Sequence, residues 1–295
     1  MQDARASTAA ALVRSERSEP TVAVAFGAGG ARGFAHVHVI EVLNELGIEP
    51  VAIAGSSIGA IMGAGMAAGM SGAEIRDYAL ETVGKRATVA NRLWSLGPNT
   101  MRDKLGGFRL GQFNLERILK AFLPPQIPDD FSELKIPLKV MATDYYGQAE
   151  VICEEGDLNE ALAASSAIPA LFMPVKLNGR IMIDGGIFNP VPYEHLLGLA
   201  DIVIGIDVVG APDGDGRTVP ARFDSLFGAS QLMMQSHIAL KLKLGAPAIF
   251  LRPSVNGFGV LDFLKARQIL DHSEGVKDDL KRALDAQFAL LSKMD

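Results

Sequence analysis

Two rhythms of apolar residues alternate along the chain. Short, nearly unbroken apolar runs at 21–26, 51–54, 138–145, 202–208 and 248–252 have the length and composition of buried strands. Between them lie stretches with helical character: 34–46 closed by Gly47, 72–83, 112–123 closed by Pro124 and Pro125, 158–166, 192–199, 223–244 and 264–291. Strand, helix, strand in sequence predicts βαβ units, hence a largely parallel α/β sheet with helices on its faces. Two hairpins break the rhythm. Residues 149–154 return along 138–145 across Gly147, and 175–177 pair with 180–183 across Asn178-Gly179, a strong turn signal.

The residues able to do chemistry sit at the joints of this pattern. The run 51–54 meets Gly55-Ser56-Ser57-Ile58-Gly59 and then a helix of small and apolar residues. Gly-x-Ser-x-Gly between strand and helix has the form of a nucleophile elbow, which makes Ser57 the candidate nucleophile. Residues 50–73 carry no charge, so a membrane span is a rival reading. Glycines at 55, 59, 63, 65, 69 and 72 make the run weakly hydrophobic, which suits a helix pressed close to a sheet.

A second joint, Gly27-Ala28-Gly29-Gly30-Ala31-Arg32-Gly33, invites a dinucleotide reading, but the sixth position from Gly27 is Arg32 and the next strand ends without an acid. The loop is better suited to presenting backbone N–H groups beside the elbow, as an oxyanion hole requires. Arg32 either holds this loop through its guanidinium or is a solvated surface arginine. His36 and His38, two apart on a helix, cannot form a zinc pair and read as packed or surface residues. The third joint is Asp184, straight after Ile181-Met182-Ile183, with Gly185-Gly186 behind it. That is where α/β sheets place chemistry, and an acid there can take the serine proton.

Composition narrows the field. Hydrophobic residues are 48% and charged residues 21% of a 295-residue chain, an ordinary globular balance. A net charge of −6 argues against nucleic acid as partner. One cysteine, Cys153, excludes an internal disulfide and a CxxC metal site, and no metal or cofactor is expected. Residues 1–20 lack a periodic apolar face and read as a disordered tail, leaving 21–295 as one domain. No secretory or transit signal is evident, so the expected location is cytoplasmic. Within 84–131, the stretch 85–113 sets Lys85, Arg86, Arg92, Arg102, Lys104 and Arg109 against Asp103 alone, interleaved with Leu93, Trp94, Leu96, Phe108 and Phe113. It reads either as a flap in peripheral contact with anionic lipid or as a solvated basic loop. Nothing in the pattern selects an oligomeric state.

Taken together, Gly29-Gly30-Ala31-Arg32-Gly33, Gly55-Ser56-Ser57-Ile58-Gly59, Ala164-Ser165-Ser166-Ala167-Ile168-Pro169 and Asp184-Gly185-Gly186 resemble, in order and spacing, the patatin-like phospholipase family. The resemblance covers residues 22–207 and more loosely the remainder. It implies a three-layer α/β/α sandwich around a mainly parallel sheet and a Ser–Asp dyad. It assigns Ser57 as nucleophile, Asp184 as base, and the amides around Gly29, Gly30 and Ala31 as oxyanion donors. Arg32, Gly33, Gly55, Gly59, Gly185 and Gly186 would support them. The implied substrate is a phospholipid or other fatty-acyl ester, with no catalytic histidine in the matched motifs. His195, His237 and His272 follow Asp184, so a triad order exists formally. The alternatives are acyl transfer on the same dyad, or a regulatory adaptor docking through 223–244.

Overall fold

The computed structural model describes residues 19–84 and 115–293. The tail and the basic stretch 85–113 lie outside the described residues, apart from Glu19 and Pro20. Apolar runs in tandem build the sheet. β1 (Val22–Phe26) lies between β2 (Ala52–Ser56) and β7 (Ile202–Ile206), parallel to both, with Phe26 level with Gly55 and with Ile206. β3 (Leu138–Asp144) adds parallel to β2, and β8 (Ile249–Leu251) parallel to β7. β4 (Ala149–Cys153), β5 (Val175–Leu177) and β6 (Arg180–Asp184) are the antiparallel additions. Both hairpins predicted from the turn residues are present.

β3 decides where the chemistry falls. β4 pairs with its residues Val140–Asp144. β2 pairs with Leu138 to Met141, and β6 with Ala142 to Asp144. These ranges overlap β4 but not each other, so β2 and β6 share the opposite edge of β3 and meet end to end. Ser56 is level with Met141, and Asp184 with Ala142, the next residue. Two strands far apart in sequence are thereby aimed at one point by register alone.

Alternation along each strand sorts side chains into two layers. Val22, Val24 and Phe26 face a large core with α1 (His36–Glu45), α2 (Ile58–Ala67), α3 (Gly72–Thr82), α4 (Leu115–Phe122), α5 (Leu158–Ser165), α7 (Ala266–Ser273) and α8 (Val276–Leu291). Ala23, Ala25, Ala52 and Ala54 face a thinner layer holding Tyr193, Leu196 and Ile238, the last from α6 (Arg222–Leu244). The architecture is a three-layer α/β/α sandwich around a mainly parallel sheet. α3 starts on a capping box, Glu74 N donating to Ser71 Oγ and Ser71 N to Glu74 Oε2. α5 starts on Asp157, which accepts from Glu160 N at 2.8 Å.

Three expected helices are corrected. The first two residues of 34–46 belong to a tight 3₁₀ segment, Gly30–Ala35, and α1 begins at His36. The stretch 192–199 makes a single 3₁₀ turn, Tyr193–Leu196, because Pro192 precedes it and Gly198 turns away at φ 82°. The long helix at 264–291 is two, α7 and α8, separated at Glu274-Gly275. The uncharged run 50–73 holds a helix of only 10 residues, α2. Among the described residues, no helix is long and apolar enough to cross a membrane.

Candidate active site

Ser57 stands between β2 and α2 with φ 55° and ψ −126°, a conformation that L-residues seldom adopt. The surroundings hold it there. Its amide donates to Ser165 Oγ at 2.8 Å, and its carbonyl accepts from the amides of Ala60 and Ile61 in the first turn of α2. Its hydroxyl donates to Asp184 Oδ2 at 2.6 Å.

Asp184, at the end of β6, is fixed at three further points. Its Oδ1 accepts from Gly186 N at 2.8 Å, its carbonyl from Thr143 Oγ1 at 2.9 Å, and its amide donates to Ala167 O at 3.0 Å. Burial raises its carboxyl from 3.8 to about 6, and the hydrogen bonds from Ser57 and Gly186 offset part of the rise. A carboxylate so placed is a stronger base than one in water, yet it remains ionised at neutral pH.

The glycine loop runs alongside. Gly29 and Gly30 line the same cleft as Ser57 and Asp184. Among the described residues nothing accepts a hydrogen bond from either amide. Gly30 has φ 59°, and a side chain there would collide with the carbonyl of Val260. Ala31 departs from expectation: its amide donates to Val260 O at 2.8 Å, so it is already occupied and serves as a strut. Gly27 N and Ala28 N are likewise taken, by Ile206 O and Pro190 O. Gly33, Gly55, Gly59 and Gly185 let the chain press closely on Ile58, Ala60, Phe26 and Met141 respectively.

Arg32 is buried, only 3% exposed, and its Nε donates to the carbonyl of Gly29 at 3.2 Å. Of its two sequence readings, the loop-holding one is what the structure contains. Burial lowers its guanidinium to about 10, partly countered by Asp207 and Asp262. His36 is buried too; its Nε2 donates to Gly27 O at 2.8 Å, and burial lowers it to about 4, so the ring is neutral. It braces the loop from behind. His38 bonds Leu270 O, and His195 bonds Glu150. Among the described residues no histidine is hydrogen-bonded to Ser57 or Asp184, and the formal triad order has no counterpart in space.

The cleft above the serine holds about 110 Å³, and its walls are largely apolar, including Ala28, Ile168, Pro169, Ile187, Leu226 and Met234. Behind it, Glu150, Glu194 and His195 bring three potential metal ligands within 4.8 Å of one another. A cation is already built in there. Lys241 Nζ pairs with Glu194 and donates to Asn189 Oδ1 at 2.6 Å, while Asn189 Nδ2 donates to both glutamates. The main-chain oxygen of Asn189 accepts from Ser56 Oγ at 2.5 Å, so this cluster braces the elbow. Ser165, Thr143 and Asn189 carried no role in the sequence reading, because each acts on a partner distant in the chain.

The family model for patatin-like phospholipases matches residues 24–197. An uncharacterized NTE family protein of Mycobacterium tuberculosis is 37% identical over 201 residues, covering 68% of this chain and 52% of that protein. Human patatin-like phospholipase domain-containing protein 6 is 28% identical over 280 residues, covering 85% of this chain and 19% of that protein. Lysophospholipase nte1 of Aspergillus fumigatus is 27% identical over 274 residues, with coverages of 84% and 17%. The chain thus spans about half the length of the mycobacterial relative and about a fifth of the human one. Among solved structures, ExoU in complex with SpcU from Pseudomonas aeruginosa aligns with TM-score 0.47 and 15% identity, over 92% of this chain and 53% of that chain.

Proposed function

The chain belongs to the patatin-like phospholipase family, and on that premise we propose that it hydrolyses fatty-acyl ester bonds of phospholipids or related lipids through Ser57 and Asp184. The observation that carries this reading is the 2.6 Å hydrogen bond from the Ser57 hydroxyl to a buried carboxylate, on a strained elbow at the floor of an apolar cleft.

The chemistry follows from the groups in place. Asp184 takes the proton from Ser57 Oγ as the oxygen attacks the ester carbonyl. The carbonyl π electrons move to oxygen, and the amides of Gly29 and Gly30 receive the negative charge. Collapse breaks the bond to the alcohol, which leaves with the proton from Asp184. Water then attacks the acyl-serine and Asp184 accepts its proton; the acyl–oxygen bond breaks, the fatty acid departs, and Asp184 returns the proton to Ser57 Oγ. Removing one such oxyanion donor costs about 10²–10³ in turnover, which is the share asked of the loop.

The expected pH profile tests the reading. Asp184 must be ionised to act, and burial places its carboxyl at about 6. For hydrolysis of a medium-chain p-nitrophenyl ester, kcat/KM rises tenfold per pH step below that value, is half-maximal near it, and is flat through pH 8. A fall on the acid side centred near the ordinary aspartate value, or a rise continuing past pH 7, removes Asp184 as the base. Fatty acid released from a phospholipid in the same preparation identifies the substrate class.

A further inference from the structure

α6 carries apolar side chains on both of its faces. Three of its polar residues point into the protein and hold it there. Gln231 Nε2 donates to Val209 O at 3.1 Å, Gln235 Nε2 to Asp207 Oδ2 at 3.1 Å, and Lys241 Nζ to Asn189 Oδ1 and Val191 O at 2.6 and 2.7 Å. Ile238 is buried beside them, with Met234 and Leu242 packed close by, but a second set of apolar residues goes the other way. Leu226, Met233 and Leu240 recur every seven positions, Leu244 continues the line, and they stand 49%, 71%, 57% and 81% exposed. Helical spacing puts all four on one face, with Arg222 and Lys243 on the same side and the one acid of the helix, Asp224, away from it. Neither cation has an ion-pair partner among the described residues. A water-soluble helix ordinarily keeps such an outward face polar.

The stripe does not stop on open surface. Leu226 is also a wall of the cleft over Ser57, as is Ile187, which is itself half-exposed. The outer face of α6 and the mouth of the cleft are therefore one continuous apolar surface. This continuity selects the occupant. A protein seated along the stripe would cover Leu226 and close the mouth, whereas a lipid surface seated there brings acyl esters to it. The two unpaired cations suit the phosphates of such a surface.

We propose that the outer face of α6 docks on an anionic lipid surface, with the cleft mouth turned toward it, so that substrate passes from bilayer to Ser57 along the Leu226 wall. This rests on the reading that the cleft takes fatty-acyl esters. It assigns to α6 a lipid partner in place of the protein partner of an adaptor.

Co-sedimentation with phosphatidylglycerol–phosphatidylcholine vesicles tests it, using M233E, L240E and their combination. Both side chains are exposed and neither lines the cleft, so an unchanged thermal midpoint is the expected control. Wild type sediments with vesicles, the double variant binds at least tenfold more weakly, and its release of fatty acid from the vesicles falls in parallel. Hydrolysis of the water-soluble p-nitrophenyl butyrate stays within twofold. Equal sedimentation of wild type and double variant overturns the proposal, as does a wild type that ignores vesicles. A wild-type dimer that the substitutions dissociate overturns it in favour of a second copy of the chain. Sedimentation is read without turnover, so a failed dyad appears as no hydrolysis of either ester, and a failed docking face as unchanged sedimentation.

Discussion

Asp184→Asn lowers ester turnover by about 10⁴-fold and leaves the fold at least as stable as before. The amide fits the same space and can still accept from Gly186 N through its oxygen, where Asp184 Oδ1 does so at 2.8 Å. What it lacks is the capacity to take a proton from the Ser57 hydroxyl, which now lies 2.6 Å from Oδ2. Stability moves the other way, because the carboxylate is buried and titrates at about 6 in place of 3.8. A carboxyl raised in this way binds its proton more tightly in the folded state, so ionising it costs stability as pH rises between those two values. Above pH 6 the variant is freed of that cost, at most about 3 kcal/mol; below pH 4 wild type and variant converge. Urea midpoints at pH 4 and pH 7.5, set beside kcat, read both halves. A variant that loses stability along with activity assigns Asp184 a structural role only.

Gly59→Ala is strongly destabilising although it adds a single methyl group. Its Cβ would overlap the carbonyl of Phe26 and come within 2.6 Å of the carbonyl of Gly27. Neither can retreat. Phe26 is in β1 at the centre of the sheet, and Gly27 is held by its amide on Ile206 O and by His36 on its carbonyl. The first turn of α2 must then lift off β1, which moves the elbow from the loop that faces it. The expected loss is about 3 kcal/mol or more, enough to deplete folded protein at 37 °C. Gly275→Ala is the control, since Gly275 has φ −56° and open space where a Cβ would lie. It stays within about 1 kcal/mol of wild type and leans toward stabilisation. Equal urea midpoints for the two variants contradict the close packing assigned to Gly59.

The parts of this site written into short stretches were legible in the sequence. Apolar runs marked β1, β2, β3, β7 and β8, and the joints after β1, β2 and the second hairpin marked the glycine loop, Ser57 and Asp184. Such joints are legible because a strand must stop, turn and restart within a few residues, and only certain residues allow it. Long-range consequences were not. Ser165, which positions the Ser57 amide, is 108 positions away, and its role follows from packing of α5 against β3. Ala31 looked like a donor until Val260, from a distant loop, was seen to occupy its amide. Arg32 could be read as solvated because burial of an arginine depends on what closes over it, here the segment around Phe258 and Gly210. Helix ends failed for local reasons that tertiary structure settles, as at Gly275, where helical spacing runs on through a break. Which way α6 faces was not legible either, because apolar residues lie on both sides of it: Ile238 is buried on the side of Gln231, Gln235 and Lys241, and Met233 and Leu240 are exposed.

The central claim is that one serine is activated by one buried aspartate. Reaction with a fluorophosphonate, followed by mass spectrometry of the labelled peptide, addresses it most directly. The expected result is a single adduct on Ser57 in wild type, none in Ser57→Ala, and labelling slowed by orders of magnitude in Asp184→Asn. An adduct that persists in Ser57→Ala, or labelling at full rate in Asp184→Asn, contradicts the account.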